Sequence, residues 1–270
     1  MQRTCAISYS VLLVLAVKIC YNVRTLQERG MLRMIQINEL IREGVTKRIY
    51  ATSDPDKAVV FFKDEAMAYH GLKRGRILGK GEVNNEVCKT FFGLLSEHHI
   101  PNHFLEQLDA RQSLIWRCEM IPISVKVRNR VAGTLVQRTG LPLGMKMSPP
   151  VIEFFYKNEE LENPLINISH ILAMKLATRE EMDYITDVSL QINQLISAYM
   201  REVDIELIDF TLEFGRFKGS VLVADEISPD VARFWDAKTH EPLDIDRFRR
   251  DMGNAEQAYQ ELLHRMMGLE

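Results

Sequence analysis

Residues 206–228, ELIDFTLEFGRFKGSVLVADEIS, constrain the fold of this chain more than any other stretch. A strand turns successive side chains to opposite faces. That period puts Ile208, Phe210, Leu212 and Phe214 on one face and Asp209, Thr211 and Glu213 on the other. A turn over 215–219 then sends the chain back through Val221, Leu222 and Val223 to Asp225. The expected result is a β-hairpin with an apolar core face and a carboxylate face, on which Glu213 and Asp225 converge. Paired oxygen ligands of this kind suit Mg2+ bound to nucleotide phosphates. On pattern alone, two strand-end acids facing water is the simpler reading.

The remaining segments read as mixed α and β without repeats. Residues 59–62 form a short apolar run between Asp-Pro and Lys-Asp, as in a buried strand. Val87, Phe91, Leu94 and Leu95 give 84–96 a helical spacing. Residues 114–127 are rich in β-formers and broken once at Pro122. Thr178 and Glu181 make a capping box ahead of a helix with Met182, Ile185, Ile192, Leu195, Ile196 and Tyr199 on one face. A C-terminal helical region over 244–267 is interrupted near Gly253. A lobe boundary is expected at 122–128, with 140–150 as a surface connection.

Length allows one large domain or two lobes with a core that needs no staples. The apolar fraction of 46% and charged fraction of 26% are those of a soluble globular chain. A net charge of −3 argues against nucleic-acid binding through bulk positive charge. Cys5, Cys20, Cys88 and Cys118 are scattered, which points to reduced thiols in a cytoplasmic protein. Residues 6–17 are mostly apolar but too short to span a bilayer, for which about 20 are needed. They lack a clear small-x-small cleavage site. An export or membrane signal, an extra helix, and a start at Met31 or Met34 all stay open for this 1–33 extension, and nothing downstream needs a membrane.

Five segments, in order from about residue 37 to the C-terminus, together resemble the SAICAR synthase family. Residues 42–50 (REGVTKRIY) resemble its nucleotide loop, and Gly79-Lys80-Gly81 with Asn84-Asn85 its GKG-x-x-NN stretch. Residues 127–134 (VRNRVAGT) with Arg138 and Gly140 resemble its RN-x-x-AGS…R-x-G signature. Residues 209–215, then 225–230 with Arg233 and Trp235-Asp236, resemble DF-x-LEFG and DE-x-SPD-x-x-R-x-WD. The resemblance implies an α+β, two-lobed fold. An ATP cleft would lie between a mostly antiparallel N-terminal lobe, 34–125, and a larger α+β lobe, 126–270. It also implies ligation of carboxyaminoimidazole ribonucleotide to aspartate through an acyl phosphate, with ATP and Mg2+. Gly44, Lys47 and Met120 would hold the nucleotide, Glu213 and Asp225 the metal. Arg128, Thr134, Asp209 and Arg233 would hold the substrate, with Lys47, Arg128 and Arg233 in the chemistry. The expected partners are small molecules, with self-association left open. His98, His99 and His103 read as solvated or capping groups.

Four positions depart from the family pattern. Val45 and Thr211 stand where lysine is usual, His70 where Asp or Asn is usual, and Asn163 where Asp precedes Pro. Each lost charge-assisted hydrogen bond costs roughly 1.5–3 kcal/mol. A diverged ligase with another carboxylate or amine, and a nucleotide-binding relative without turnover, therefore stand beside the leading expectation.

Overall fold

The structure, a computed structural model, describes residues 36–268. The expectations for the 1–33 extension, Cys5 and Cys20 lie outside those residues. No helix among the described residues is long and apolar enough to cross a membrane.

Two antiparallel sheets dominate, as the resemblance implied. The first comprises β1 (Ile37–Glu43), β2 (Lys47–Thr52), β3 (Lys57–Phe62), β6 (Phe104–Gln107) and β7 (Gln112–Trp116), in the order β1-β2-β3-β7-β6. A two-stranded ribbon, β4 (Glu65–Ala68) with β5 (Lys73–Arg76), lies outside it. The second sheet comprises β8 (Glu119–Arg130), β9 (Lys146–Tyr156), β10 (Leu165–Ile166), β11 (Ile205–Phe217), β12 (Ser220–Ala224) and β13 (Ala232–Asp236). Its order is β10-β9-β8-β11-β12, and β13 also pairs with β11.

The helices are α1 (Lys80–Glu97), α2 (Thr134–Thr139), α3 (Ile168–Ala173), α4 (Arg179–Glu202), α5 (Asp246–Arg249) and α6 (Ala255–Met267). Thr178 and Glu181 cap α4 reciprocally, as their spacing predicts. Met182, Ile185, Ile192 and Ile196 are fully buried on the face that covers β11 and β8. The break near Gly253 separates α5 from α6. Val83, Val87 and Phe91 of α1, Val125 and Val127 of β8, and Phe210, Leu212 and Phe214 of β11 join one continuous core. Burying such side chains contributes about 1.5–3 kcal/mol each, so the apolar face of the second sheet is held toward the helices. Its polar face is left for the site.

Three sequence expectations need correction. Pro122 does not break the strand, because β8 runs through it and the gap falls at Arg117–Cys118. The ladder to β11 is irregular between Glu213 and Gly215, opposite Pro122, so the absent N–H interrupts nothing. The hairpin turn is only Lys218 and Gly219, both at positive φ (48° and 84°), while Gly215 lies within β11. A bulge between Leu207 and Asp209 also breaks the expected alternation. It leaves Leu207 in the main core and Ile208 in a separate cluster with Ala132 and Trp235.

Gly215 is needed for close approach. A Cβ there would meet Cys118 Cβ at 2.4 Å and Met120 Sδ at 3.3 Å. Gly215→Ala is expected to destabilise the fold by about 1–3 kcal/mol through overpacking, measured as a lowered urea midpoint with an unchanged slope. A shift within about 0.5 kcal/mol, the usual range for innocuous surface changes, would contradict the tight packing.

Candidate active site

The hairpin's carboxylate face becomes the floor of a cavity of about 970 Å3. Antiparallel pairing sets Glu213 opposite Ser124, Thr211 opposite Lys126, and Asp209 opposite Arg128. These six side chains form two parallel rows on the face away from α4. Glu213 pairs with Ala224 of β12, which brings it beside Asp225, the next residue. The loop between β1 and β2 supplies Gly44 and Thr46, and the first residue of β2 supplies Lys47, to the same cavity. Met120, Thr134, Lys157 and Asn163 complete the part of the lining that concerns the chemistry.

Gly44, Lys47, Met120, Arg128, Thr134, Glu213 and Asp225 therefore face one space, although Lys47 and Asp225 are 178 residues apart. Asp209 and Arg233 do not line it. They line an adjoining pocket of about 200 Å3 that shares Lys126 and Thr211 with the large one.

Charges in the cavity are strongly coupled. Lys47 Nζ lies 2.5 Å from Asp225 and 2.8 Å from Glu226. Burial disfavours its ammonium, but the two carboxylates outweigh that and hold its pKa above the ordinary lysine range. Burial also works against the Asp225 anion, which Lys47 nonetheless keeps ionised below the usual carboxylate pKa. Glu213 is pushed up by burial and by Asp225, despite an ion pair with Lys157. Two acids held this close repel each other, and a divalent cation relieves that repulsion. The donor set thus fits Mg2+, which takes one or two carboxylates and completes its shell with phosphate oxygens and water. No group of three or more His, Cys, Asp and Glu side chains suited to a metal occurs among the described residues.

At the other end, Arg128, Asp209 and Arg233 form a buried network. Arg128 donates to Asp209 at 3.1 Å and to Glu153 at 2.6 Å. Arg233 reaches both Asp209 oxygens at 2.9 Å and Asp246 at 2.7 Å. Gly133 allows this, since a Cβ there would stand 2.7 Å from an Arg233 guanidinium nitrogen.

Several site residues escaped the sequence reading. His103 was expected at a solvated position, but it is 5% exposed and lines the cavity. Burial lowers its pKa to about 4, so the ring is neutral. His98 ends α1 and His99 is exposed, as expected. Lys126 and Lys157 had no motif to mark them, and Glu226, inside the DE-x-SPD segment, was given no role. Lys80 of the GKG stretch is fully buried, where it pairs with Asp230 at 2.5 Å. Asp230 also accepts from Tyr259 of α6 at 2.6 Å, so this motif ties three segments together. Of the departures, Asn163 and Thr211 line the cavity and Val45 is exposed. His70 lies in the short 3-10 turn Tyr69–Gly71.

The acid-floored cleft, rimmed by lysines and arginines, is lined from both antiparallel sheets. A sequence model of SAICAR synthetase matches residues 40–266. A phosphoribosylaminoimidazole-succinocarboxamide synthase of Coprothermobacter proteolyticus is 50% identical over 229 residues, covering 84% of this chain and 97% of the relative. The crystal structure of the synthase of that name from Ehrlichia chaffeensis superposes with a TM-score of 0.84 at 37% identity, covering 86% of this chain and all of that one. A SAICAR synthetase in complex with ADP gives 0.83 at 40% identity, covering 86% and 99%. The chain belongs to the SAICAR synthetase family.

Proposed function

We propose that this chain is an ATP-dependent ligase of purine biosynthesis that joins carboxyaminoimidazole ribonucleotide to L-aspartate. The observation that supports this reading most is the convergence of Lys47, Arg128, Glu213 and Asp225 on one cavity. Membership in a family whose relative was solved with ADP supports the nucleotide. A cytoplasmic place of action belongs to the same reading.

A carboxylate is a poor acyl donor because its leaving group would be oxide. A carboxylate oxygen of the ribonucleotide bonds to the γ-phosphorus of ATP, the bond to the bridging oxygen breaks, and ADP leaves with the electron pair. The amine of aspartate then attacks the acyl carbon, inorganic phosphate departs with the electrons of the broken C–O bond, and the amine loses a proton to give the amide. In this proposal Lys47 binds the nucleotide phosphates and Met120 packs against the base. Arg128 and Thr134 face the ribonucleotide, while Arg233 holds Asp209, and through it Arg128, in place. Glu213 and Asp225 would hold Mg2+, which when bound neutralises phosphate charge. Such a site works by positioning and charge compensation.

Purified protein with Mg2+, ATP, carboxyaminoimidazole ribonucleotide and aspartate is expected to release ADP and form the succinocarboxamide together. ADP release that persists without aspartate, or only with another amine, redirects the reading toward a different ligation. Absence of ADP release with every amine in a screen overturns it.

A further inference from the structure

Lys126 and Thr211 are the two residues shared by the large cavity and its small neighbour. They stand directly opposite each other in the β8–β11 ladder. Along β8, Ser124 faces the Glu213 end, Arg128 faces the Asp209 end, and Lys126 lies between them. Each step of two residues advances a strand by roughly 6.5 Å, so Lys126 sits midway between the acid pair and the arginine network.

The other cations of this floor are satisfied. Arg128 is bonded to Asp209 and Glu153, Arg233 to Asp209 and Asp246, and Lys157 to Glu213. The Lys126 ammonium makes no hydrogen bond to any side chain among the described residues. Its nearest carboxylate oxygen, on Asp209, is 3.6 Å away, and the two arginines already occupy that carboxylate. The side chain is 20% exposed and lines both cavities. A cation held in a cleft without a bonded anion is a ready binding group for an anionic ligand.

We propose that Lys126 is a catalytic residue of this chain, whose ammonium binds the substrate carboxylate that receives the phosphoryl group. This rests on the function proposed above, in which that carboxylate must meet the anionic γ-phosphate between the acid end and the arginine end. Two anions cannot approach unaided there, and Lys126 is the cation at that point of the floor. It also accounts for Thr211. The lysine expected at 211 would have placed its ammonium on the same face, and here the charge comes across the ladder from the neighbouring strand. Burial brings the Lys126 pKa down to about 8 despite Asp209, with Arg233, Arg128 and Arg249 nearby, and a bound anion would raise it again.

The test compares wild type, Lys126→Val, Lys126→Gln and the double variant Lys126→Val/Thr211→Lys. Readouts are steady-state kinetics, stabilisation by Mg2+ and ADP, and the thermal unfolding midpoint. Both single variants are expected to lose about 100-fold in kcat, the cost of removing one charge-stabilising donor, with nucleotide binding and midpoint near wild type. The double variant is expected to regain at least about tenfold of the loss, because lysine at 211 reaches the same point from β11. The inference is overturned if the single variants keep kcat within about threefold of wild type, or if the double variant recovers nothing. Parallel loss of ADP binding and midpoint in both single variants also overturns it, since that would make Lys126 structural. Absence of wild-type turnover overturns the proposed function and this inference together, whereas active wild type with active Lys126 variants overturns this inference alone.

Discussion

Asp209→Asn is expected to cost about 3–5 kcal/mol of stability, because it leaves buried cations facing a neutral amide. Asp209 is fully buried and hydrogen-bonded to Arg128 and Arg233, with Lys126 in a longer ion pair at 3.6 Å. Asparagine preserves the volume, so the loss isolates the charge. The amide can accept from only one oxygen and turns its own donors toward guanidinium groups. For a chain of this size the unfolding midpoint should fall by on the order of 10 °C. Burial alone would raise the Asp209 pKa, but Lys126, Arg233 and Arg128 hold it below the ordinary carboxylate value. A depressed pKa contributes stability above the unfolded value, and that contribution disappears as pH falls through the folded one. Wild type should therefore lose this share on acidification below the ordinary value of 3.8, and Asp209→Asn should not. A midpoint within about 2 °C of wild type at neutral pH would show that the arginines do not depend on this anion.

Lys47→Met is expected to lower kcat/KM by on the order of 10³-fold, with most of the loss in kcat. Lys47 holds Asp225 and Glu226 together and faces the space where phosphates would lie. Its removal leaves Asp225, Glu226 and Glu213 repelling one another in a partly buried site. Methionine keeps the length of the chain, so packing should change little. The measurement is single-turnover ADP formation beside steady-state kinetics, with thermal unfolding to confirm a folded variant. Activity within about tenfold of wild type would remove Lys47 from the phosphate-binding group.

Much of the site was legible because its residues lie in motifs whose chemistry is local. The alternation in β11 announced a carboxylate face, and the Gly44 loop announced a lysine for phosphates. Residues without such punctuation stayed silent. Lys126 reads as one polar position in an ordinary alternating strand, and Lys157 follows a strand end in the same unremarkable way. His103 follows a Pro101-Asn102 turn that suggests solvent, yet its backbone N–H bonds to Val223 O and the ring is buried. Register determined the other surprises. Pro122 looked like a strand break because its missing N–H is a local fact, whereas the ladder irregularity opposite it is a property of the partner strand.

The sequence by itself determined the element types, the capped helix α4, the hairpin with one apolar and one acidic face, and membership in the SAICAR synthetase family. Periodicity, turn chemistry and motif order are all written within short windows. Only the tertiary structure decided which charges meet. It separated Arg233 and Asp209 into a side pocket, made Lys80 a buried tie to Asp230, and left Lys126 without a bonded carboxylate opposite Thr211. Those outcomes follow from strand register and long-range packing, which bring together side chains far apart along the chain.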